Sequence, residues 1–328
     1  MIIVKTPLRV SLFGGGTDYP SYLENNDGIV IGSAINKFNY VYVNGNPLNN
    51  DSEYRLNYSI RESVPNISDI KHNSIRECFR FFEIEPPFEL HSLAELPART
   101  GLGSSSAFTV GLINALSLYK GERLDAKKIT ELAHVIEIEK IGENVGLQDQ
   151  ILTSLGGFNI VEFKDGSFTL SNEGLNQKTI ASLERNMVMF YLGSQRSAPQ
   201  ILDEQIARNL NKKNDSTLRE MTDIALEAKR ILTDSDASEP VHEIGKLLCE
   251  SWALKKKLSS QVSNDFVDEI YTKAMDYGAF AGKLLGAGKT GMMLFLAKPD
   301  QHKTLEMALS PRKRVNFEFC WDASKPVG

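Results

Sequence analysis

The sequence predicts an α+β protein of two domains, strand-rich over residues 1–180 and helix-rich over 181–328. Three observations carry this. Alternating, β-branched runs recur through the first half, whereas 3.6-residue periodicity dominates the second. The 328 residues allow two domains at roughly 100–200 residues each. A segment rich in glycine and serine, Pro97-Ala-Arg-Thr-Gly-Leu-Gly-Ser-Ser-Ser-Ala107, breaks the first half just before an apolar run that ends at Tyr119.

The elements follow in order. Residues 2–13 read as a strand entering the turn Gly14-Gly-Gly16. Ile29, Val30 and Ile31, then Tyr40 to Val43, make residues 28–46 β-rich and predict paired strands, with Asn44-Gly45 as a hairpin turn. Ile75, Cys78, Phe79 and Phe82 share a helical face over 73–83, and Pro86-Pro87 ends that helix. Phe88 to Leu93 is the next strand, followed by the glycine–serine segment and its helix. Ile129, Leu132, Ala133, Ile136 and Ile141 give residues 126–141 an apolar stripe, with Asp125 as N-cap. Gly146 to Gly157 brackets a short helix, and Phe158–Phe163 with Ser167–Leu170 forms a hairpin around Asp165-Gly166. Past residue 180 come a strand at Met187–Leu192 and helical patterns over 200–212, 216–233, 239–258 and 264–278. Strands at Met292–Ala297 and Val315–Cys320 close the chain.

Composition excludes several classes. A formal net charge of −5 argues against a nucleic-acid partner. No apolar run approaches the ~20 residues that cross a bilayer, so no membrane partner is expected. Met1 to Val10 lacks the order of a signal peptide, and a cytoplasmic protein is expected. Cys78, Cys249 and Cys320 give neither a disulfide framework nor a zinc spacing, and they fit reduced thiols. The five histidines form no HExxH pattern, which sets a zinc hydrolase aside.

Five features bear on chemistry. In Pro97–Ala107, glycine allows close backbone approach, and the serines fall where a helix begins and its N–H groups lack partners. Such a start holds anions; a plain glycine turn with serine caps is the alternative. In Gly14-Gly-Gly-Thr-Asp18 the glycines make room for a ligand and Asp18 can accept hydroxyl protons, or the segment is a loose turn with a solvated carboxylate. Asp149, beside a helix start, can orient a nucleophilic hydroxyl or merely cap. Glu137 and Glu139 either face solvent or give magnesium a hard ligand together with a serine. Gly288-Lys289-Thr290 looks like the end of a Walker A loop. The required earlier glycine is replaced by Lys283, and the loop is expected to leave a helix and open a strand, as a helix C-cap turn does.

Three segments in this order, Pro7 to Tyr19, Pro97 to Ala107, and Gly286-Ala-Gly288 with Gly291, resemble the GHMP kinases (galactokinase, homoserine kinase, mevalonate kinase, phosphomevalonate kinase). The resemblance implies a ribosomal-protein-S5-like N-terminal domain, a ferredoxin-like C-terminal domain, and ATP with Mg2+ bound between them. It implies that Pro97, Gly101, Gly103, Ser104, Ser105, Ser106 and Ala107 hold the nucleotide. Gly146-Leu-Gln-Asp149-Gln150 matches the galactokinase-like catalytic segment, and Arg9 matches the basic residue near the nucleophile. Glu137 is the match for the metal carboxylate, with Glu139 close enough to compete, and Ser105 for the metal serine. Gly14, Gly15, Gly16, Thr17, Asp18, Gly286, Ala287 and Gly288 fall to the substrate.

Galactokinases carry Glu and His where Gly15 and Gly16 stand, which counts against galactose. With Gly156-Gly157-Phe158-Asn159, the pattern is most similar to the D-glycero-D-manno-heptose 7-phosphate kinases. They phosphorylate the anomeric hydroxyl and feed nucleotide-heptose for surface polysaccharide. A sugar phosphate needs cations, for which Lys37 and Arg196 are candidates, although neither has a motif of its own and each reads more readily as a surface charge. Another sugar as acceptor (galactose, fucose, a uronic acid), a non-catalytic binding homologue, a lyase and a homodimer remain open.

Overall fold

The structure, a computed structural model, describes residues 1–45, 52–193, 208, 209, 211 and 213–327. Strand β1 (Ile2–Phe13) leads into a single helical turn, α1 (Pro20–Leu23), and then β2 (Gly28–Gly45). Next come β3 (Tyr54–Asn57), β4 (Arg61–Val64), α2 (Asn73–Phe81), β5 (Phe88–Ala94) and α3 (Ser104–Tyr119). Helix α4 (Ala126–His134) runs on as a π-helical turn over Val135–Lys140. Helix α5 (Gln148–Leu155), β6 (Phe158–Lys164) and β7 (Ser167–Leu170) follow. The second part holds α6 (Gln177–Asn186), β8 (Met187–Gly193), α7 (Asp215–Thr233), α8 (Pro240–Leu258) and α9 (Asp265–Asp276). It ends with β9 (Ala279–Leu284), β10 (Gly291–Ala297), α10 (His302–Ala308), β11 (Lys313–Val315) and β12 (Lys325–Pro326).

The strands form an eight-stranded sheet, in order β12-β1-β2-β5-β3-β4 with β6 and β7 branching from β2, and a four-stranded sheet, β11-β8-β10-β9. Residues 28–45 are one 18-residue strand, not the pair expected. β1 holds one edge of β2; β6 and β5 divide the other between Gly28–Ser33 and Asn39–Gly45. Both edges are thus taken, and β3 pairs parallel to β5, so Asn44-Gly45 does not turn a hairpin back onto β2. The loop at Gly286–Gly288 leaves strand β9, not a helix, and joins it to β10. The Walker reading fails all the same, because a strand follows. Residues 316–320 form no ladder; Phe319 makes a lone bridge to Ile35. The pattern over 200–212 lies almost wholly outside the described residues. Helix α6 spans residue 180.

Side-chain alternation explains how the two parts join. On β8, Met187 and Met189 face a core shared with β1, β2, α6, α7 and α8, while Val188, Phe190 and Leu192 face a second core under α9 and α10. Helix α3 is apolar nearly all round, with Ser106 to Ser117 buried, because β1 and β2 cover one side and α2, α4 and α5 the others. Among the described residues, no helix is long and apolar enough to cross a membrane.

Candidate active site

Helix α3 starts at Ser104 with Gly103 as its N-cap, in the left-handed region at φ 70° and with no side-chain cap. Its first intrahelical bond runs from Ala107 N–H to the Gly103 carbonyl, so the serine N–H groups before it face outward from the helix start. The preceding loop is clamped by both sheets. Arg9 N–H donates to the Leu102 carbonyl and Met292 N–H to the Thr100 carbonyl, at 3.0 and 2.9 Å. Gly101 meets Gly286 so closely that a Cβ on Gly286 would lie 2.3 Å from the Gly101 Cα. A glycine here is therefore a matter of space as well as of φ.

One turn of α5 gathers the remaining groups. Arg9 grips Asp149 with two bonds, Nε to Oδ1 at 2.8 Å and Nη2 to Oδ2 at 2.7 Å, and its Nη1 donates to the Gly101 carbonyl at 2.6 Å. On one flank of Asp149, Gln148 donates from its backbone (3.0 Å) and side chain (3.3 Å) to Asp18. On the other, Gln150 donates from Nε2 to Glu137. A Cβ at position 146 would stand 2.1 Å from Asp18 Oδ2, which is why the Gly-Leu-Gln-Asp-Gln segment opens with glycine. Burial raises the Asp18 carboxyl above its usual range, against hydrogen bonds from Gly16 and Gln148 that lower it.

Glu137 lies on the π-helical turn and is fully buried; Glu139 is exposed. A wide turn of this kind often marks a functional position. Burial pushes the Glu137 carboxyl up to about 7, although hydrogen bonds from neighbouring side chains oppose it. Ser106 donates to its Oε2 at 3.0 Å, while Oε1 has no partner. The serine beside the carboxylate is thus Ser106, not Ser105. At 100° per residue only one of three consecutive serines can turn inward, and Ser105 is exposed at the cavity.

Arg9, Asp18, Gln148, Asp149 and Ser106 line a cavity of about 810 Å³ between the two sheets, while Glu137 and Gln150 are not part of its lining. Arg9, Gly15, Asp18, Pro97, Gly101, Gly103, Ser104, Ser105, Ser106 and Asp149 reach it from the first part, and Gly286, Ala287 and Gly288 from the second. Ala107 does not: it is packed in the core. Gly14 and Thr17 serve the turn, since the Thr17 hydroxyl is buried and bonded to the Gly14 and Ile29 carbonyls. Gly16 acts through Asp18, to which its N–H donates at 2.9 Å. Lys37 is absent from the cavity lining; it sits in the bulge of β2 between Ile35 and Phe38, where pairing with β1 slips. Arg196 lies outside the described residues.

Two family models match the chain, "GHMP kinases N terminal domain" over residues 72–157 and "GHMP kinases C terminal" over 237–308. It is 31% identical to the D-glycero-alpha-D-manno-heptose 7-phosphate kinase of Campylobacter jejuni, over 97% of this chain and 96% of that protein. The chain belongs to the GHMP kinases. This GHMP kinase is also 25% identical to the galactokinase of Pyrococcus furiosus, over 98% and 96% of the two chains. Among solved structures, it superposes on a D-glycero-D-manno-heptose 1-phosphate kinase from Bacteroides thetaiotaomicron with a TM-score of 0.79. That match has 23% identity and covers 100% and 99% of the two chains, which speaks for the fold. It has the two-domain GHMP kinase fold and is an ATP-using kinase of that family.

The sequence reading of this GHMP kinase missed several residues at the site. Gln148 and Gln150 stand within the quoted Gly146–Gln150 segment, where only Asp149 was given a task. Lys255 and Lys283 line the cavity. Lys255 hides in the run Lys255-Lys-Lys257, which reads as a solvated helix face, and Lys283 is the residue that spoils the Walker pattern. Tyr58, His72 and Phe108 form an aromatic wall, with ring centroids 5.0 Å apart at each step. Their positions in sequence gave no signal, because three separate elements bring them together.

Proposed function

We propose that this kinase transfers the terminal phosphoryl group of ATP to the anomeric hydroxyl of D-glycero-D-manno-heptose 7-phosphate. The product is the 1,7-bisphosphate, for nucleotide-heptose and surface polysaccharide synthesis in the cytoplasm. The observation that carries the reading is the Arg9–Asp149 pair, held in one cavity with the open start of α3. The helix start takes the nucleotide phosphates through backbone N–H groups and the helix dipole. The Tyr58–His72–Phe108 wall offers faces on which a purine stacks. Asp149 keeps lone pairs free to accept the proton of a sugar hydroxyl, and Arg9 lowers the cost of the charge that develops. Catalysis is then mostly positioning and electrostatics, as phosphoryl transfer through a loose transition state requires.

The residues present fit magnesium. Glu137 offers an unpartnered buried oxygen next to the Ser106 hydroxyl, both hard ligands, and among the described residues no group of three or more carboxylate, histidine or cysteine side chains gathers for a metal. A metal held by Glu137 and Ser106 would complete its shell with water and phosphate, and would offset phosphate charge. The choice of heptose 7-phosphate leans on the identity to the Campylobacter jejuni enzyme and on Gly15 and Gly16.

Phosphorus NMR of the product tests the proposal. Incubation with ATP, Mg2+ and heptose 7-phosphate should give a new anomeric phosphate signal while the 7-phosphate signal persists. Turnover of galactose or fucose, with none of heptose 7-phosphate, would overturn it.

A further inference from the structure

Two lysines in the cavity have no task in the scheme above. Lys255, on α8, is half-buried, and its Nζ donates to the Leu284 carbonyl at 3.1 Å and to the Gly286 carbonyl. Lys283, on β9, is 3% exposed and donates to the Leu12 carbonyl at 2.7 Å. Both line the same cavity as Arg9, Asp18 and Asp149. Neither has a carboxylate within ion-pair distance among the described residues, and the charge of Arg9 is already matched by Asp149. The site thus holds two basic side chains without a carboxylate partner, in a place where a buried charge normally finds one. Carbonyl oxygens satisfy two of the Lys255 donors and one of the Lys283 donors, out of three on each.

Their attachments set Lys283 on the Asp18 side of the cavity and Lys255 on the loop that meets Gly101. Leu12 is the last residue but one of β1, ahead of the turn that carries Asp18, and Gly286 opens the loop that covers Gly101 from the other part. We propose that Lys255 and Lys283 form an anion subsite for the phosphate that the sugar substrate already carries, separate from the helix start that takes ATP. The proposal rests on the sugar-phosphate reading given above. A dianion there supplies the missing counter-charge through charge-assisted hydrogen bonds. Burial lowers both ammonium groups, Lys255 to about 7, so an arriving phosphate also favours their protonated form.

The experiment compares wild type, Lys255→Met and Lys255→Arg on heptose 7-phosphate and on the same heptose without its phosphate. The selectivity, the ratio of the two kcat/KM values, should fall by roughly 10–100-fold in Lys255→Met and return in part in Lys255→Arg. Lys283→Met should move it the same way; where that buried substitution does not fold, the Lys255 variants still decide. Parallel losses on both sugars, or a loss confined to the KM for ATP, would overturn the subsite. Calorimetric titration of inorganic phosphate, with AMP-PNP filling the nucleotide positions, tests it without any sugar. Wild type should bind phosphate, and Lys255→Met should bind it at least about tenfold more weakly. Equal binding, or none by wild type, overturns the subsite. If wild type turns over only neutral sugars, the substrate reading fails, and the titration still decides the subsite by itself.

Discussion

Asp149→Asn keeps the side chain's size and removes its charge. Both carboxylate oxygens accept from Arg9, whose side chain is 5% exposed against 27% for Asp149. Asparagine presents one acceptor and turns an NH2 group toward a guanidinium, so at least one of the two bonds is lost. Breaking a buried ion pair by removing one partner costs about 3–5 kcal/mol. Exposure of Asp149 screens part of this, which leaves about 2 kcal/mol. Melting should therefore fall by roughly 2–8 °C. Turnover should fall much further, by about 10²–10⁴-fold, because the hydroxyl loses its proton acceptor. The nucleotide phosphates are held elsewhere, at the α3 start, so the KM for ATP should stay within about threefold. A coupled assay of ADP release and a thermal melt measure both. A kcat within about tenfold of wild type, in a folded variant, would refute the assigned role.

Three further outcomes are expected. Burial and repulsion from Arg9 hold Lys255 down to about 7, from an ordinary 10.5 and against the attraction of Asp149. The folded chain then binds fewer protons than the unfolded one between pH 7 and 10.5, so this stability rises with pH across that window and is lost as pH falls through 7. Urea midpoints of the ligand-free protein should climb from pH 6.5 to 9.5 more steeply in wild type than in Lys255→Met; equal slopes would contradict the burial argument. Gly286→Ala puts a Cβ 2.3 Å from the Gly101 Cα at φ +72°, a clash between backbones that no side chain can relieve. It should cost about 2 kcal/mol or more and weaken ATP binding, and an unchanged melting temperature would be the adverse result. Ser106→Ala should raise the Mg2+ needed for half-maximal rate by about tenfold, with Ser105→Ala changing it by less than about threefold. The opposite ranking would restore Ser105 as the metal serine.

Periodicity located most helices because each buries one stripe on its own. Helix α2 and the start of α4 lie where their apolar spacing puts them, and helix α5 lies between the glycines that bracket it. It failed where burial is two-sided or the segment short. Gly28–Gly45 is buried on both faces only as far as Ile35 and alternates beyond it, a change of pattern that reads as two strands although β1 pairs along both halves. Ala279–Leu284 is a strand of small residues whose place is set by β10, and it was read as the tail of a helix. At the site, Asp149 and Arg9 stand in segments that resemble the family's, whereas Glu137 had no motif of its own and Glu139 competed with it until burial separated the two. The inward turn of Ser106 was not legible, since it depends on the phase of α3 against the π-helical turn.

The sequence alone determined that a helix begins in a glycine–serine loop and that a carboxylate follows at the start of a later short helix. These are properties of a few neighbouring residues: missing N–H partners, a left-handed glycine, a dipole. Only the tertiary structure decided that Gln148, Asp149 and Gln150 reach Asp18, Arg9 and Glu137 from one helical turn, and that Lys37 stays out while Lys255 and Lys283 come in. Those facts depend on where two sheets meet. The charge balance of a cavity is a sum over residues far apart in sequence, and no local pattern contains it.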